Sequence, residues 1–139
     1  MGNLPSGLPE EIADKEDLVR FLTSRSQFNT LMVKPAVFLP SHSDLETSVF
    51  RHGREPAKSL WKIGAEVAGA AERSLYGAAV FKAAAVRNAK LEVFADEPPP
   101  RHAAIRKWPT DTDPELQKAQ HKERAVALAS AAGEPFLVK

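Results

Sequence analysis

The chain contains no cysteine, which excludes disulfides, thiolate metal sites and a cysteine nucleophile. Such a chain fits a reducing compartment, and a cytoplasmic location is expected. It also lacks a charge excess. Nineteen Lys and Arg stand against 18 Asp and Glu, a formal net charge of +1, so no global field draws the chain to nucleic acid or membrane. No apolar run approaches the length of a membrane span, and no secretory leader is expected at the N-terminus. Met1-Gly2-Asn3-Leu4-Pro5-Ser6 fits the loose N-myristoylation pattern, a short match of little weight. Gly-x-Gly-x-x-Gly and Walker motifs are missing, which leaves dinucleotide and P-loop sites unsupported. No serine sits in a Gly-x-Ser-x-Gly elbow, so a hydrolase nucleophile has little support from the sequence. The four histidines have no metal-ligand spacing, so neither a metal nor another cofactor is expected.

What is present describes a globular chain. At 139 residues, 43% apolar and 27% charged, it has the size of one domain able to bury a core without staples. Residues 1–13 carry Gly2, Pro5, Gly7 and Pro9 and read as a flexible arm, with a single domain over 14–139. Charge is unevenly spread. Glu10, Glu11, Asp14, Glu16 and Asp17 face only Lys15, whereas residues 51–107 hold eleven Lys and Arg against six Asp and Glu. Such an excess marks a basic face or, more often, a solvated one.

Asp14 is a candidate cap for a short helix over Lys15–Thr23, with Leu18, Phe21 and Leu22 as its apolar face. Val33–Pro40, bracketed by prolines, reads as an edge strand. Leu45–Arg51 reads as a second strand forming a hairpin with it, with Ser48, Phe50 and His52 on one side and Thr47, Val49 and Arg51 on the other. Leu60, Ile63, Gly64, Val67 and Ala71 recur at helical spacing over 56–72. Leu75–Phe81, Leu91–Phe94 and His102–Trp108 read as extended, and Lys82–Asn88 as a short helical turn. Asp113-Pro114-Glu115 opens a helix that Gly133 ends. Phe136–Val138 is a last strand. This order predicts an α+β domain: a mixed sheet of five or six strands packed against two main helices.

The blocks Val33–Pro40, Glu46–His52, Leu60-Trp61-x-Ile63-Gly64 and His102-Ala103-x-Ile105-x-x-Trp108-Pro109 resemble a group of small uncharacterised bacterial proteins. Their run of blocks has the same order, over about residues 20–132. Members often carry Gly before the Trp-Pro, where this chain has Lys107. The resemblance implies a bacterial, soluble protein and carries over no catalytic residue.

The residues with most chemical promise form a repeated dipeptide, Arg51-His52 and Arg101-His102. Two imidazoles titrating near neutrality can act as acid and base, and a guanidinium can hold an anion beside them. Neighbours on a strand point to opposite faces, so Arg51 and His52 share a site only if the chain bends, as Gly53 would allow. Arg25, Ser26, Phe28 and Asn29, followed by Lys34, bring donors for phosphate or carboxylate to one loop, unless that loop merely covers the core. Glu46 can orient a histidine or line a polar edge. Trp108, after Arg106-Lys107, is the best candidate to stack a base, although covering the sheet end is its simpler role.

Two functions are expected. The first is a non-catalytic module binding a partner protein or an anionic ligand through Arg25, Asn29, Lys34, Glu46, Arg51 and Arg101, with His52 at the rim. The second is a small metal-independent enzyme acting on a phosphate-containing substrate, a nucleotide or RNA, with His52 and His102 as acid and base and Arg51 as anion clamp. The module ranks first because it needs only an exposed patch.

Overall fold

The segment Asp17–Leu22 is the strand β1, and its two buried faces organise the molecule. Leu18 and Leu22 enter one core, and Val19 and Phe21 enter another on the opposite side. A strand buried on both faces has no polar alternation, which is why it resembled a helical face in the sequence. The expected helix over Lys15–Thr23 is therefore corrected to a strand.

The structure is a computed structural model that describes residues 4–52 and 56–138. After β1 come β2 (Thr47–Arg51), α1 (Ala57–Ala70), β3 (Gly77–Lys82), α2 (Ala83–Asn88), β4 (Glu92–Ala95), β5 (His102–Arg106), α3 (Pro114–Ala132) and β6 (Phe136–Leu137). They form an α+β domain around one six-stranded sheet of order β4-β5-β2-β1-β3-β6. Every pairing is antiparallel, where a mixed sheet was expected. The strand–helix–strand order β2-α1-β3 does return the chain in the same direction, but β1 lies between the two strands and opposes both.

Helix α1 covers one face of the sheet, where Leu60 joins Val19, Phe21, Phe50 and Ala78. The other face is covered by α2, α3 and a 3-10 turn at Pro35–Phe38. Phe38 of that turn meets Phe81 edge-on at 5.3 Å. The turn replaces the edge strand expected over Val33–Pro40, so no hairpin with β2 forms. Pro35 occupies its first turn, where a missing N–H is tolerated.

Other boundaries follow their local chemistry. Asp113 caps α3 by accepting from the Glu115 N–H at 3.0 Å, and Gly133 ends the helix at φ 63°. Strand β5 stops at Arg106, because Lys107 turns with φ 69° and delivers Trp108, 4% exposed, into the core. Residues 4–13, expected as a flexible arm, lie against the domain: Ile12 is buried, and Ser6 bonds Glu97 through both its N–H and its hydroxyl. The Met1–Asn3 start and the Gly53 bend fall outside the described residues.

Candidate functional site

The register between β2 and β5 pairs Phe50 with His102 and Ser48 with Ala104. Ser48 and His102 are thus diagonal neighbours on one face, close enough for side chains to meet. The Ser48 hydroxyl lies 2.5 Å from His102 Nε2. On the far side of the ring, Nδ1 is 2.8 Å from the Asp96 carbonyl oxygen and 3.3 Å from Asp96 Oδ2. Both neighbours of Nδ1 are acceptors, which places the ring proton there and leaves Nε2 to accept from Ser48. The Phe50 ring meets the imidazole at 5.3 Å and fixes its tilt.

Charged neighbours frame this line of three. Arg106 donates from Nε to Glu46 at 2.7 Å, and its Nη2 stands 3.7 Å from Asp96 Oδ1. The same guanidinium rests over the Phe94 ring at 5.4 Å. Asp96 therefore faces both the Arg106 guanidinium and the imidazole.

Ser48 also lines a cleft of about 340 Å³ with Arg20, Thr23, Gln27, Phe50 and Arg73. The cleft opens where two strands part. After Leu18↔Arg51 and Val19↔Phe50, the β1–β2 ladder ends. Arg20 fills the gap, donating from Nε to the Val37 carbonyl at 3.0 Å and from Nη1 to the Ser48 carbonyl at 2.8 Å. Burial lowers its pKa, yet a guanidinium keeps its charge in proteins. Neither Arg20 nor Arg73 has a carboxylate partner among the described residues, and no carboxylate lines the cleft. An anion entering it would be the first to meet both cations.

The candidate residues named from sequence divide into those near this line and those far from it. His102 is central. Glu46 is tied to it through Arg106 and Asp96. Arg101 holds the end of β2, donating from Nη1 to the His52 carbonyl at 2.9 Å and to the Arg51 carbonyl at 3.3 Å. His52 follows β2 and donates its backbone N–H to the Asp17 carbonyl. The His102 ring is engaged by Ser48 and Asp96, not by a second imidazole.

Arg51 points to the opposite face, 1% exposed, with its guanidinium on Glu16 and the Pro9 carbonyl. It cannot clamp an anion beside His102, and that expected role is corrected. Asn29 is likewise occupied, its side-chain oxygen accepting from the N–H groups of Leu31 and Met32. Arg25 is exposed over the Tyr76 ring. Lys34 lines a separate groove. The loop therefore does not form one patch with Arg51. Sequence reading missed Ser48 and Asp96 as partners of His102. The one available signal was the alternation that sets Ser48 and Phe50 on the same side of β2.

Among the described residues no three His, Asp or Glu side chains gather as a metal-binding group. No helix is long and apolar enough to cross a membrane. The chain matches no family model, no curated protein and no solved structure.

Proposed function

We propose that this protein is a hydrolase of small esters bearing an anionic group, with Ser48 as nucleophile, His102 as general base and Asp96 as the group that orients the imidazole. The observation that carries this reading is the 2.5 Å contact between Ser48 Oγ and His102 Nε2, with Asp96 behind Nδ1. A nucleophile bonded to a base that is oriented by a third group is the arrangement activated serines need.

In the proposed reaction Ser48 Oγ attacks the ester carbonyl carbon while His102 Nε2 takes the hydroxyl proton. Collapse of the tetrahedral intermediate breaks the ester C–O bond, and the leaving alcohol receives that proton from His102. Water then attacks the acyl-serine, with His102 again as base, releasing the acid and restoring Ser48. Arg20 and Arg73 line the cleft that Ser48 borders, and supply positive charge for the substrate's anionic group and the developing oxyanion.

The same pair of guanidiniums supports a second reading, a module that binds an anionic ligand without turning it over. A fluorophosphonate probe separates the two, because it reacts only with an activated serine. The expected result is one adduct on Ser48 by intact mass and peptide mapping, absent from Ser48→Ala and His102→Ala. Wild-type protein that stays unlabelled, yet shifts its Arg20 and Arg73 side-chain NMR signals on phosphate addition, overturns the hydrolase in favour of the module.

A further inference from the structure

We infer that a second site, in the groove between α3 and the segment Lys34–Leu45, binds a free single-chain amphiphile with an anionic head. The groove has a volume of about 850 Å³, inside the range of pockets that hold small ligands. Its apolar lining comes from Pro35, Ala36, Leu39, Pro40 and Leu45 of that segment and from Pro114 and Ala125 of α3. Leu39 stays 40% exposed there. Uncovered apolar surface of this kind, concave and rimmed by charge, is how a chain-binding site differs from a scattered surface leucine.

The rim determines the sign of the ligand. Lys34, Lys118 and Lys122 stand around the opening against one carboxylate, Glu115, and none of the three lysines makes an ion pair among the described residues. His42 joins the same rim. His121 does not add to it, since its Nε2 is held 2.6 Å from the Pro109 carbonyl. Three unpaired ammonium groups over an apolar floor complement a carboxylate or phosphate carried on an alkyl chain. They oppose a quaternary ammonium on the same chain. Lysine suits the task because its stem extends the apolar wall while its head reaches solvent.

The groove and Ser48 lie on opposite sides of the sheet, since the Pro35–Phe38 turn and α3 pack on the face away from α1. The site is independent of the proposed hydrolase, and its test does not depend on turnover. The 139-residue chain is titrated with dodecanoate, dodecyl phosphate, dodecyltrimethylammonium and butyrate, below their micellar concentrations, by isothermal calorimetry and by amide NMR shifts in α3. The expected result is saturable, single-site binding of the long-chain anions. The cationic amphiphile binds at least about tenfold more weakly, a difference of about 1.4 kcal/mol, and butyrate does not bind. The double variant Lys118→Glu/Lys122→Glu, whose changes are on exposed side chains, loses the preference for anions, and Ala36→Trp fills the groove and abolishes binding. Equal binding of both head groups, binding unaffected by these variants, or association with anionic vesicles without binding of the monomers overturns the proposal.

Discussion

Arg51 and Glu16 form a two-pronged ion pair beneath the sheet, with Nε 2.5 Å from Oε1 and Nη2 2.9 Å from Oε2. The third nitrogen, Nη1, donates to the Pro9 carbonyl at 2.6 Å. This pair fastens the N-terminal segment to β2 and leaves Arg51 almost without solvent contact. Removing Glu16 strands a buried cation, a change that costs about 3–5 kcal/mol. Glu16→Ala is expected near the lower end of that range, because the Pro9 carbonyl still faces the guanidinium. Arg51→Met puts an apolar chain in the same space and leaves Glu16, which retains some exposure, free to meet water. Its expected cost is smaller, about 1–3 kcal/mol. Urea unfolding midpoints of the two variants check the order, and a larger loss for Arg51→Met contradicts the burial described here.

Gly64 and Gly69 sit on the same helix and should respond oppositely to alanine. A Cβ at Gly64 would stand 2.7 Å from two atoms of the Phe21 ring and 3.0 Å from Leu75 Cδ1, whereas one at Gly69 meets nothing within 4 Å. Alanine gains about 1 kcal/mol of helix propensity over glycine, and forcing a methyl into a packed core costs about 1–3 kcal/mol. Gly69→Ala is therefore expected to raise the melting temperature and Gly64→Ala to lower it. Paired thermal denaturation curves decide the matter. A stabilising Gly64→Ala would mean that α1 stands farther from β1 than this packing requires.

The elements legible in the sequence were those whose local chemistry marks both ends. Asp113, Pro114 and Gly133 bracket α3, and the spacing of Leu60, Gly64 and Val67 marks α1. β1 was not legible, because Leu18, Val19, Phe21 and Leu22 fill two cores at once and a short run without alternation suits either a strand or a helix. The candidate site was half legible for a related reason. His102 can be picked out as a titratable group beside a turn, but Ser48 is 54 residues away, and only the β2–β5 register brings them together. Arg51 misled because its chemistry suits an anion and its sequence position says nothing of Glu16, 35 residues earlier.

Acid should weaken one specific tie between the N-terminal segment, α2 and β4. Arg87 bonds Glu92 at 2.7 Å and Asp14 at 2.6 Å. The hydrogen bond from Arg87 is the main reason the Glu92 carboxyl lies below its usual range, with a smaller contribution from the Val93 N–H and desolvation opposing both. A carboxyl whose folded pKa lies below the unfolded value, about 4.3, adds stability that is fully present above that value. The contribution disappears as pH falls through the folded pKa. Glu92→Gln should therefore cost at most about 1 kcal/mol at neutral pH, as partly exposed pairs do. The gap from wild type should close in acid. Unfolding midpoints measured from neutrality to about pH 3 test this, and a gap that stays constant with pH removes Glu92 ionisation as the cause.

The proposed hydrolase makes an uneven prediction for its three residues. Ser48→Ala removes the nucleophile and should abolish turnover of an anionic nitrophenyl ester such as nitrophenyl hemisuccinate. His102→Gln keeps polar groups near Ser48 but removes the base, with an expected loss of about 10²–10⁴ in kcat. Asp96→Asn should be milder, because the Asp96 backbone carbonyl remains at 2.8 Å from Nδ1 and still holds the ring proton there. What that variant loses is the carboxylate's stabilisation of the imidazolium formed as Ser48 gives up its proton, so kcat falls while KM stays near wild type. Arg73→Met should raise KM for the anionic ester, and should lower kcat modestly for both that ester and nitrophenyl acetate, because the same guanidinium supplies charge for the oxyanion. Equal losses for Asp96→Asn and His102→Gln would show that the carboxylate, not the carbonyl, sets the tautomer. Turnover in Ser48→Ala equal to wild type would remove Ser48 as nucleophile.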